Sequence, residues 1–269
     1  RVRELTDRPF IVNHVVPQLD EDAFTATLAA KPAGISFALG DPGGLVARAR
    51  EAGAKVLQQV HTVTQARAAA ELGVDAIVAQ GSEAGGQGMV TAPGTLTLVP
   101  QVVDAVDPIP VLAAGGVADG RGLAAVLAAG AAGANVGTRF LASDEAAAHE
   151  GWKEAIVGAE SEGAVRLEAW AALFPTEGEA DYRVVPRVLG TEWVDALRAD
   201  PALTEERAEE LRAQVIEVVT SGDPHELVPF TGQTAGLISE TLPAAEIVRR
   251  MVAEAEEAAG RLGGAVGSD

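Results

Sequence analysis

Cysteine is absent from the 269 residues of this chain, and lysine is scarce, with three among 20 basic residues. Without cysteine there are no disulfides, thiolate metal ligands or cysteine nucleophiles. The net charge of −19 argues against a nucleic-acid or anionic-membrane surface, because neutralising phosphates takes clustered basic residues. The acidic excess suits either a high-salt cytoplasm or ordinary solubility. Since neither an apolar run of about 18–20 residues nor a leader-like segment is present, we expect a cytoplasmic protein.

Short apolar runs separated by helical patterns fill the first half of the chain. This alternation predicts βα units around a parallel sheet, in one large barrel or two small domains. The predicted strands are 10–16, 34–39, 55–60, 76–81, 111–115 and 133–137. The predicted helices between them are 20–30, 43–53, 64–73, 94–106 and 119–130, and later helical patterns cover 191–220 and 243–262. Thr64 and Asp119 are the predicted N-caps.

Two glycine turns follow the last two predicted strands. Gly115 and Gly116 end the first of these strands, and Gly137 and Thr138 end the second. Glycine lets the backbone turn tightly and approach an anion closely, whereas a purely structural turn is the competing interpretation. In a parallel barrel both turns lie on one face, where barrel enzymes often bind phosphate, so the pair favours a phosphate site.

Several sequence blocks together resemble one family, the FMN-dependent nitronate monooxygenases, formerly called 2-nitropropane dioxygenases. The blocks are RPFIVN at 8–13, the segments 40–88 and 95–106, PVLAAGGVADGRGLAAVLAAGA at 110–131, GANVGTRFLAS at 133–143 and GQTAGLI at 232–238. The resemblance covers most of 8–157 and 230–262, and it is weak over 160–225.

The resemblance implies an α/β fold of the (β/α)8 TIM-barrel type, here reduced to about six βα units with a C-terminal helical cap. Family members begin with two further βα units, so we expect the chain to be an N-terminally truncated barrel. The implied organisation is an FMN-binding barrel portion at 1–159, a poorly matched insertion or helical cap at 160–229, and a segment at 230–269 that packs back on the barrel.

By the same resemblance, FMN is the expected cofactor, and most of its binding residues fall at strand ends. Buried amides there need hydrogen-bonding partners, which the flavin ring would supply to Gln59. Asn13 is expected to contact the flavin unless it only caps a turn. The full implied set is Asn13, Gln59, Gln80, Ser82, Gly85, Gly86, Ala114, Gly115, Gly116, Gly137 and Thr138. Gln58 is expected to face the helix layer.

Gln87 stands where many family members carry a histidine, the presumed base towards neutral nitroalkanes. Glutamine does not titrate near neutral pH, so it can orient a substrate but cannot abstract a proton. A nitronate is already deprotonated and does not require a base. We therefore expect Gln87 to act in substrate orientation, with a nitronate as the substrate.

The four histidines lack the sequence spacing of a metal site, so no metal is predicted. His14 and His61 follow strand positions at the expected catalytic face, and His61 is better explained as the entry to the next helix. His149 and His225 lie in polar, acidic surroundings and are predicted to be surface residues.

Three functions stay open on this sequence. The leading one is an FMN oxidoreductase that oxidises a small nitronate with dioxygen. The second is an NAD(P)H-dependent flavin reductase of quinones or enoyl thioesters, and the third is a non-catalytic flavin- or phosphate-binding protein. In each case the partners are small molecules, with neither nucleic acid nor membrane, and a homodimer is compatible with the sequence.

Overall fold

The computed structural model describes residues 2–175 and 184–266. Nine strands lie in this part of the chain: β1 Ile11–Val15, β2 Gly34–Ala38, β3 Lys55–Val60, β4 Ala76–Gln80, β5 Gly86–Met89, β6 Val111–Ala114, β7 Gly133–Asn135, β8 Ala164–Arg166 and β9 Val184–Leu189. The first helices are α1 Val2–Leu5, α2 Glu21–Ala29, α3 Leu45–Glu51, α4 Val63–Glu71, α5 Thr95–Val106, α6 Gly120–Ala128 and α7 Thr138–Leu141. They are followed by α8 Glu150–Val157, α9 Trp170–Leu173, α10 Glu192–Ala199, α11 Pro201–Glu206, α12 Ala208–Ser221 and α13 Ala244–Val266.

Six strands form one fully parallel sheet in the order β1-β2-β3-β4-β6-β7. Helices connect successive strands, as parallel pairing requires. Apolar strand residues such as Ile35, Phe37 and Val56 are fully buried against the helices. The predicted α/β architecture and all six predicted strands are confirmed, with ends shifted by no more than two residues.

A second, three-stranded antiparallel sheet has the order β5-β9-β8. Strand β5 belongs to the loop after β4, whereas β8 and β9 come from beyond residue 160. Sequence analysis predicted none of these three strands. Strand β5 reads GQGM, which has no apolar alternation, so its strand geometry depends on pairing with β9.

Helix starts follow ordinary capping chemistry. Asp119 accepts a hydrogen bond from the backbone N–H of Gly122 at 3.0 Å and caps α6 as predicted. The predicted cap at Thr64 is wrong, because the Thr62 hydroxyl accepts from the N–H of Gln65 at 3.2 Å and α4 begins at Val63. Threonine occurs at both positions, and only the backbone geometry distinguishes them.

The last helix, α13, packs along α6. The backbone N–H of Gly120 donates to the carboxylate of Glu254 at 2.9 Å, and a Cβ at Gly120 would lie 2.3 Å from the backbone nitrogen of Ala255. A glycine at the start of α6 therefore allows close contact with α13. In the described part of the chain, no helix combines the length and apolarity needed to cross a membrane.

Candidate active site

The candidate site lies where the strands of the parallel sheet end. All six strands run in the same direction, so their carboxyl ends and the loops that follow them share one edge. Three cavities lie there, with volumes of about 530, 410 and 910 Å³. The first two share Gln80, Gly85 and Gly86, and the last two share Gln87 and Phe230, so together they form one continuous depression.

The 530 Å³ cavity is walled by the two glycine turns. Gly115 and Gly116 have φ of +87° and +74°, values that favour glycine, and Gly137 and Thr138 border the same space. A Cβ at Gly115 would lie 2.9 Å from the backbone nitrogen of Ala84, whereas a Cβ at Gly137 would meet no protein atom within 4 Å. The structure thus brings both predicted turns together around an open space, and Ala114 lines it too.

Amide side chains border the 410 Å³ cavity. Asn13, Gln59 and Gln80 come from β1, β3 and β4, and all three line this space. The Nε2 group of Gln80 donates to the backbone carbonyl of Gln87 at 3.0 Å, which ties strand β4 to β5. Gly86 has φ of +69°, and with Gly85 it carries the loop along the side of this cavity. The site therefore runs from a glycine cradle to a row of amides.

Gln87 lies between the amide row and the largest cavity. It is in β5, opposite Pro186 of β9, and it lines both the 410 and the 910 Å³ spaces. Position 87 is therefore held both by strand pairing in the antiparallel sheet and by the hydrogen bond from Gln80 of the parallel sheet. A side chain there touches whatever occupies either cavity.

The 910 Å³ cavity is mostly apolar. Its walls include Trp170 and Phe174 from around α9, Val184 from β9, and Val215, Ile216 and Val219 from α12. Trp170 also packs on Phe174 and Phe230, with ring centroids 4.5 and 5.8 Å apart. These residues belong to a separate hydrophobic cluster with Leu167, Val188 and Val228. The cavity is thus bounded on one side by the sheet edge and on the other by the chain beyond residue 160.

Ser82 lies away from the three cavities. Its carbonyl accepts a hydrogen bond from Arg187 at 2.9 Å, and the residue borders a void of about 10 Å³ beside Arg166. Burial, followed by repulsion from Arg166, lowers the pKa of Arg187. Ser82 shares this small void with Gln80 and Gly86 but lines none of the three larger cavities, so its role in cofactor binding stays a prediction.

The carboxylate of Glu83 holds the loop between β4 and β5 in place. It accepts hydrogen bonds from the backbone N–H of Thr95 at 2.9 and 3.0 Å and from the Thr95 hydroxyl at 3.0 Å. The same hydroxyl lies 2.9 Å from the carbonyl oxygen of Gly115. Glu83 and Thr95 therefore connect the start of α5 to the glycine turn after β6.

His14 does not lie on the catalytic face, contrary to the expectation. Its ring packs on Phe24 and Phe37, and Nε2 lies 3.0 Å from the Thr27 hydroxyl. Asn13 takes the cavity side, and alternate residues of a strand point to opposite faces. Gln58 likewise lies on the buried helix side, as predicted, with 3% exposure and Nε2 3.3 Å from the carbonyl oxygen of Gly40.

As predicted, His61 lies at the entry to the next helix, in the turn from β3 into α4. It comes directly before Thr62, the observed cap. Its side chain is 1% exposed, and burial lowers its pKa to about 4. Nε2 of His61 lies 3.5 Å from Nε2 of Gln59. His61 is absent from the walls of the three cavities, so it supports Gln59 rather than facing the open site.

Sequence reasoning missed several residues of the site. Asn135 ends β7 beside the glycine cradle, and its strand-end position was a usable signal. Phe230 lines all three cavities, yet nothing in the surrounding sequence indicates this. The Trp152 indole donates to the hydroxyl of Thr231 at 3.0 Å and borders the cradle from α8.

Residues 20–254 match the model of the family described as nitronate monooxygenase. The chain belongs to the nitronate monooxygenase family. Members are flavin-dependent oxidoreductases with an α/β barrel, and the sheet and strand-end site described above are those of such a barrel. The family resemblance found in the sequence is therefore confirmed.

Individual relatives carry different names. The chain is 33% identical over 261 residues to a nitronate monooxygenase of Neurospora crassa, covering 93% of this chain and 68% of the relative. It is 44% identical over 147 residues to an octahydro-indene carboxyl-CoA dehydrogenase of Rhodococcus jostii, covering 54% of this chain and 40% of that protein. The fold is similar to FabK from Thermotoga maritima, with a TM-score of 0.84, 33% identity and coverage of 98% of this chain and 81% of the other.

The first curated relatives are longer than the matched region. The chain covers 40%, 61% and 47% of their lengths. Family membership is therefore established for this chain, but it does not by itself determine the activity of the whole protein.

Proposed function

We propose that this chain is the FMN-binding and substrate-orienting part of an oxidoreductase that oxidises alkyl nitronates with dioxygen. Membership of the nitronate monooxygenase family supports the reaction class. The observation that carries the choice of substrate is the lining of the two cavities that Gln87 borders. In the described part of the chain, no titratable side chain lines either of them.

The residues present fit FMN. Two glycines with positive φ and the open space at Gly137 leave room for a phosphate against the backbone. Asn13, Gln59 and Gln80 would offer amide donors and acceptors to the polar edge of the ring system. Bound FMN would supply the redox chemistry between the nitronate and dioxygen. The chain's own contribution is binding, orientation and exclusion of water.

Among the described residues that line these two cavities, the lack of a titratable group beside Gln87 supports the choice between the forms of a nitro compound. Removing the α-proton of a neutral nitroalkane requires a base within hydrogen-bonding reach. Gln87 cannot take that proton, and His61 is buried with a pKa of about 4. A nitronate arrives without the proton, and the Gln87 amide can donate a hydrogen bond to one of its oxygens.

The test compares propyl-2-nitronate with 2-nitropropane as substrates of the FMN-loaded protein, following oxygen uptake. We expect turnover of the nitronate and negligible turnover of the nitroalkane. Gln87→His restores a base, so nitroalkane turnover rises by roughly 10²-fold or more while nitronate turnover changes little. Gln87→Leu, which lacks the amide, slows nitronate turnover, and Gln101→His, an exposed site on α5, changes neither. Equal rates on both substrates in the unaltered protein would contradict the proposal.

A reductase acting on a bulky acyl thioester is the second candidate. The 910 Å³ apolar cavity is larger than a small nitronate needs, and one relative is named as a carboxyl-CoA dehydrogenase. Rapid bleaching of the flavin by NADH in the absence of a nitro compound would favour this candidate. A purified protein that takes up no flavin would instead support a non-catalytic role.

A further inference from the structure

A pair of histidines and an aspartate meet outside the lining of the cavities bordered by Gln87. His149 precedes α8, and Asp223 and His225 lie in the turn that follows α12. One ligand atom from each of the three side chains lies within 4.8 Å of the other two. The sequence predicted no metal site, because His149 is remote along the chain from Asp223 and His225 and only the fold brings the three together. We propose that these three side chains bind a divalent transition metal of the zinc class.

The rings of His149 and His225 are stacked, with centroids 4.2 Å apart and an interplanar angle of 11°. Two imidazoles this close repel each other when both are protonated. Binding a cation instead uses their lone pairs and needs both rings neutral. The carboxylate of Asp223 adds a negative charge beside them, in a chain whose net charge is −19.

Apart from the ring stacking, the cluster contains a buried nitrogen that lacks a hydrogen-bond partner. Nδ1 of His225 is buried and has no hydrogen-bond partner in the structure. A buried polar atom without a partner costs free energy unless something not yet accounted for satisfies it. Nδ1 of His149 instead accepts the backbone N–H of Gly151 at 3.1 Å and caps α8. Because a neutral imidazole has a single lone-pair nitrogen, His149 would give up this cap hydrogen bond when it binds the metal.

The ligand set selects the metal. Two imidazoles and one carboxylate suit zinc, copper or nickel, whereas magnesium and calcium prefer oxygen ligands alone. Three protein ligands leave a coordination position for water. Zinc–nitrogen distances are about 2.0–2.1 Å, so the three side chains would rotate inward by a short distance on binding. The metal would join the start of α8 to the end of α12.

Binding can be measured on the whole chain, purified without a histidine tag, by calorimetric titration with zinc chloride. We expect saturation at one zinc per chain, unaffected by excess magnesium. His225→Gln, Asp223→Asn and His149→Asn should each weaken zinc binding at least tenfold, and Asn at position 149 keeps a helix-capping acceptor. Glu209→Gln, an exposed carboxylate on α12, is the matched control and should bind zinc like the unaltered protein.

Thermal unfolding gives a second readout. A ligand that binds only the folded state raises Tm, so zinc should raise Tm of the unaltered protein and of Glu209→Gln but not of the three ligand variants. Absence of saturable zinc binding would overturn the proposal and leave the stacked pair as a helix-capping arrangement. Zinc binding that persists unchanged in the ligand variants would also overturn it, since the ions would then be held by the acidic surface.

Discussion

The two halves of the candidate site are built by different means. The proposed cofactor side is formed by backbone turns and amides at the ends of neighbouring parallel strands, as at Gly115 and Gln80. The proposed substrate side is formed by bulky side chains from α9, β9 and α12. Trp170 and Val215 pack in a cluster separate from the core of the parallel sheet, whereas Val184 packs on Ala38 and Leu39. We therefore expect cofactor binding to be sensitive to backbone conformation, and substrate selection to be sensitive to side-chain volume.

The largest effect is expected from acid, which should destabilise the parallel sheet through His61. Burial holds its folded-state pKa at about 4, below the ordinary value of 6.5. Above pH 6.5 both states are neutral and stability is complete. As pH falls from 6.5 to 4, only the unfolded state takes up the proton, so the free energy of unfolding drops by roughly 3 kcal/mol in total. Urea unfolding at several pH values measures this slope.

His61→Gln removes the titrating group and should flatten the slope over that interval. The pKa of His14 is also lowered by burial and would leave a smaller slope of the same sign. If the variant keeps the full pH dependence of the unaltered protein, His61 is not its source.

Gly115→Ala should damage both folding and FMN binding. Its φ of +87° is unfavourable for alanine, and the new Cβ would lie 2.9 Å from Ala84. We expect a loss of about 1–3 kcal/mol in unfolding free energy and at least a tenfold weaker affinity for FMN. Urea unfolding and fluorescence titration with FMN measure the two effects.

Gly137→Ala separates these two effects. Its Cβ meets no protein atom, so folding should be unchanged while the methyl group enters the cradle and weakens FMN binding. Gly163→Ala, also unhindered but outside the cradle, should alter neither quantity. If Gly137→Ala binds FMN normally, the phosphate does not lie in this cradle.

Two helix caps allow a matched comparison of the halves. Asp119 caps α6, directly after the glycine turn, and Thr191 caps α10 by accepting from the N–H of Val194 at 3.1 Å. Replacing either with alanine should cost about 1 kcal/mol of stability. Only Asp119→Ala should also weaken FMN binding, because α6 follows the cradle. Equal effects on FMN from both variants would remove the distinction between the two sides.

The smallest effect is expected from Ile216→Ala, which enlarges the 910 Å³ cavity from α12. Ile216 is half-exposed, so its removal should raise KM for long-chain nitronates only a few-fold and leave propyl-2-nitronate and FMN binding unchanged. Leu127→Ala, an exposed leucine on α6, is the control. A change in FMN affinity would contradict the proposed separation of roles.

Local sequence patterns predicted the parallel sheet and its glycine turns well. Strand β3 is found at the predicted residues 55–60, because its burial alternates regularly. The two glycine turns also lie together as predicted, since consecutive βα units of a parallel sheet place their turns on one edge. The misplacement of His14 arose because adjacent residues at a strand end point to opposite faces, and the sequence alone did not fix which one faces the site.

The substrate side could not be predicted in the same way. Strand β5 lacks an apolar pattern and exists through pairing with β9, nearly a hundred residues later. Phe230 and Trp170 both line the 910 Å³ cavity and pack on each other although they are remote in sequence, and neither lies in a recognisable motif. Contacts between distant segments leave no periodic signal in a local window of sequence.

The sequence by itself determined the family, the parallel sheet and the glycine cradle, because these depend on local conformation and on short-range periodicity. Tertiary structure alone decided that Gln87 stands between two cavities without a titratable neighbour among the described residues that line them, and that His149 meets Asp223 and His225. The physical reason is that burial, cavity shape and ligand geometry arise from packing between segments that are remote along the chain.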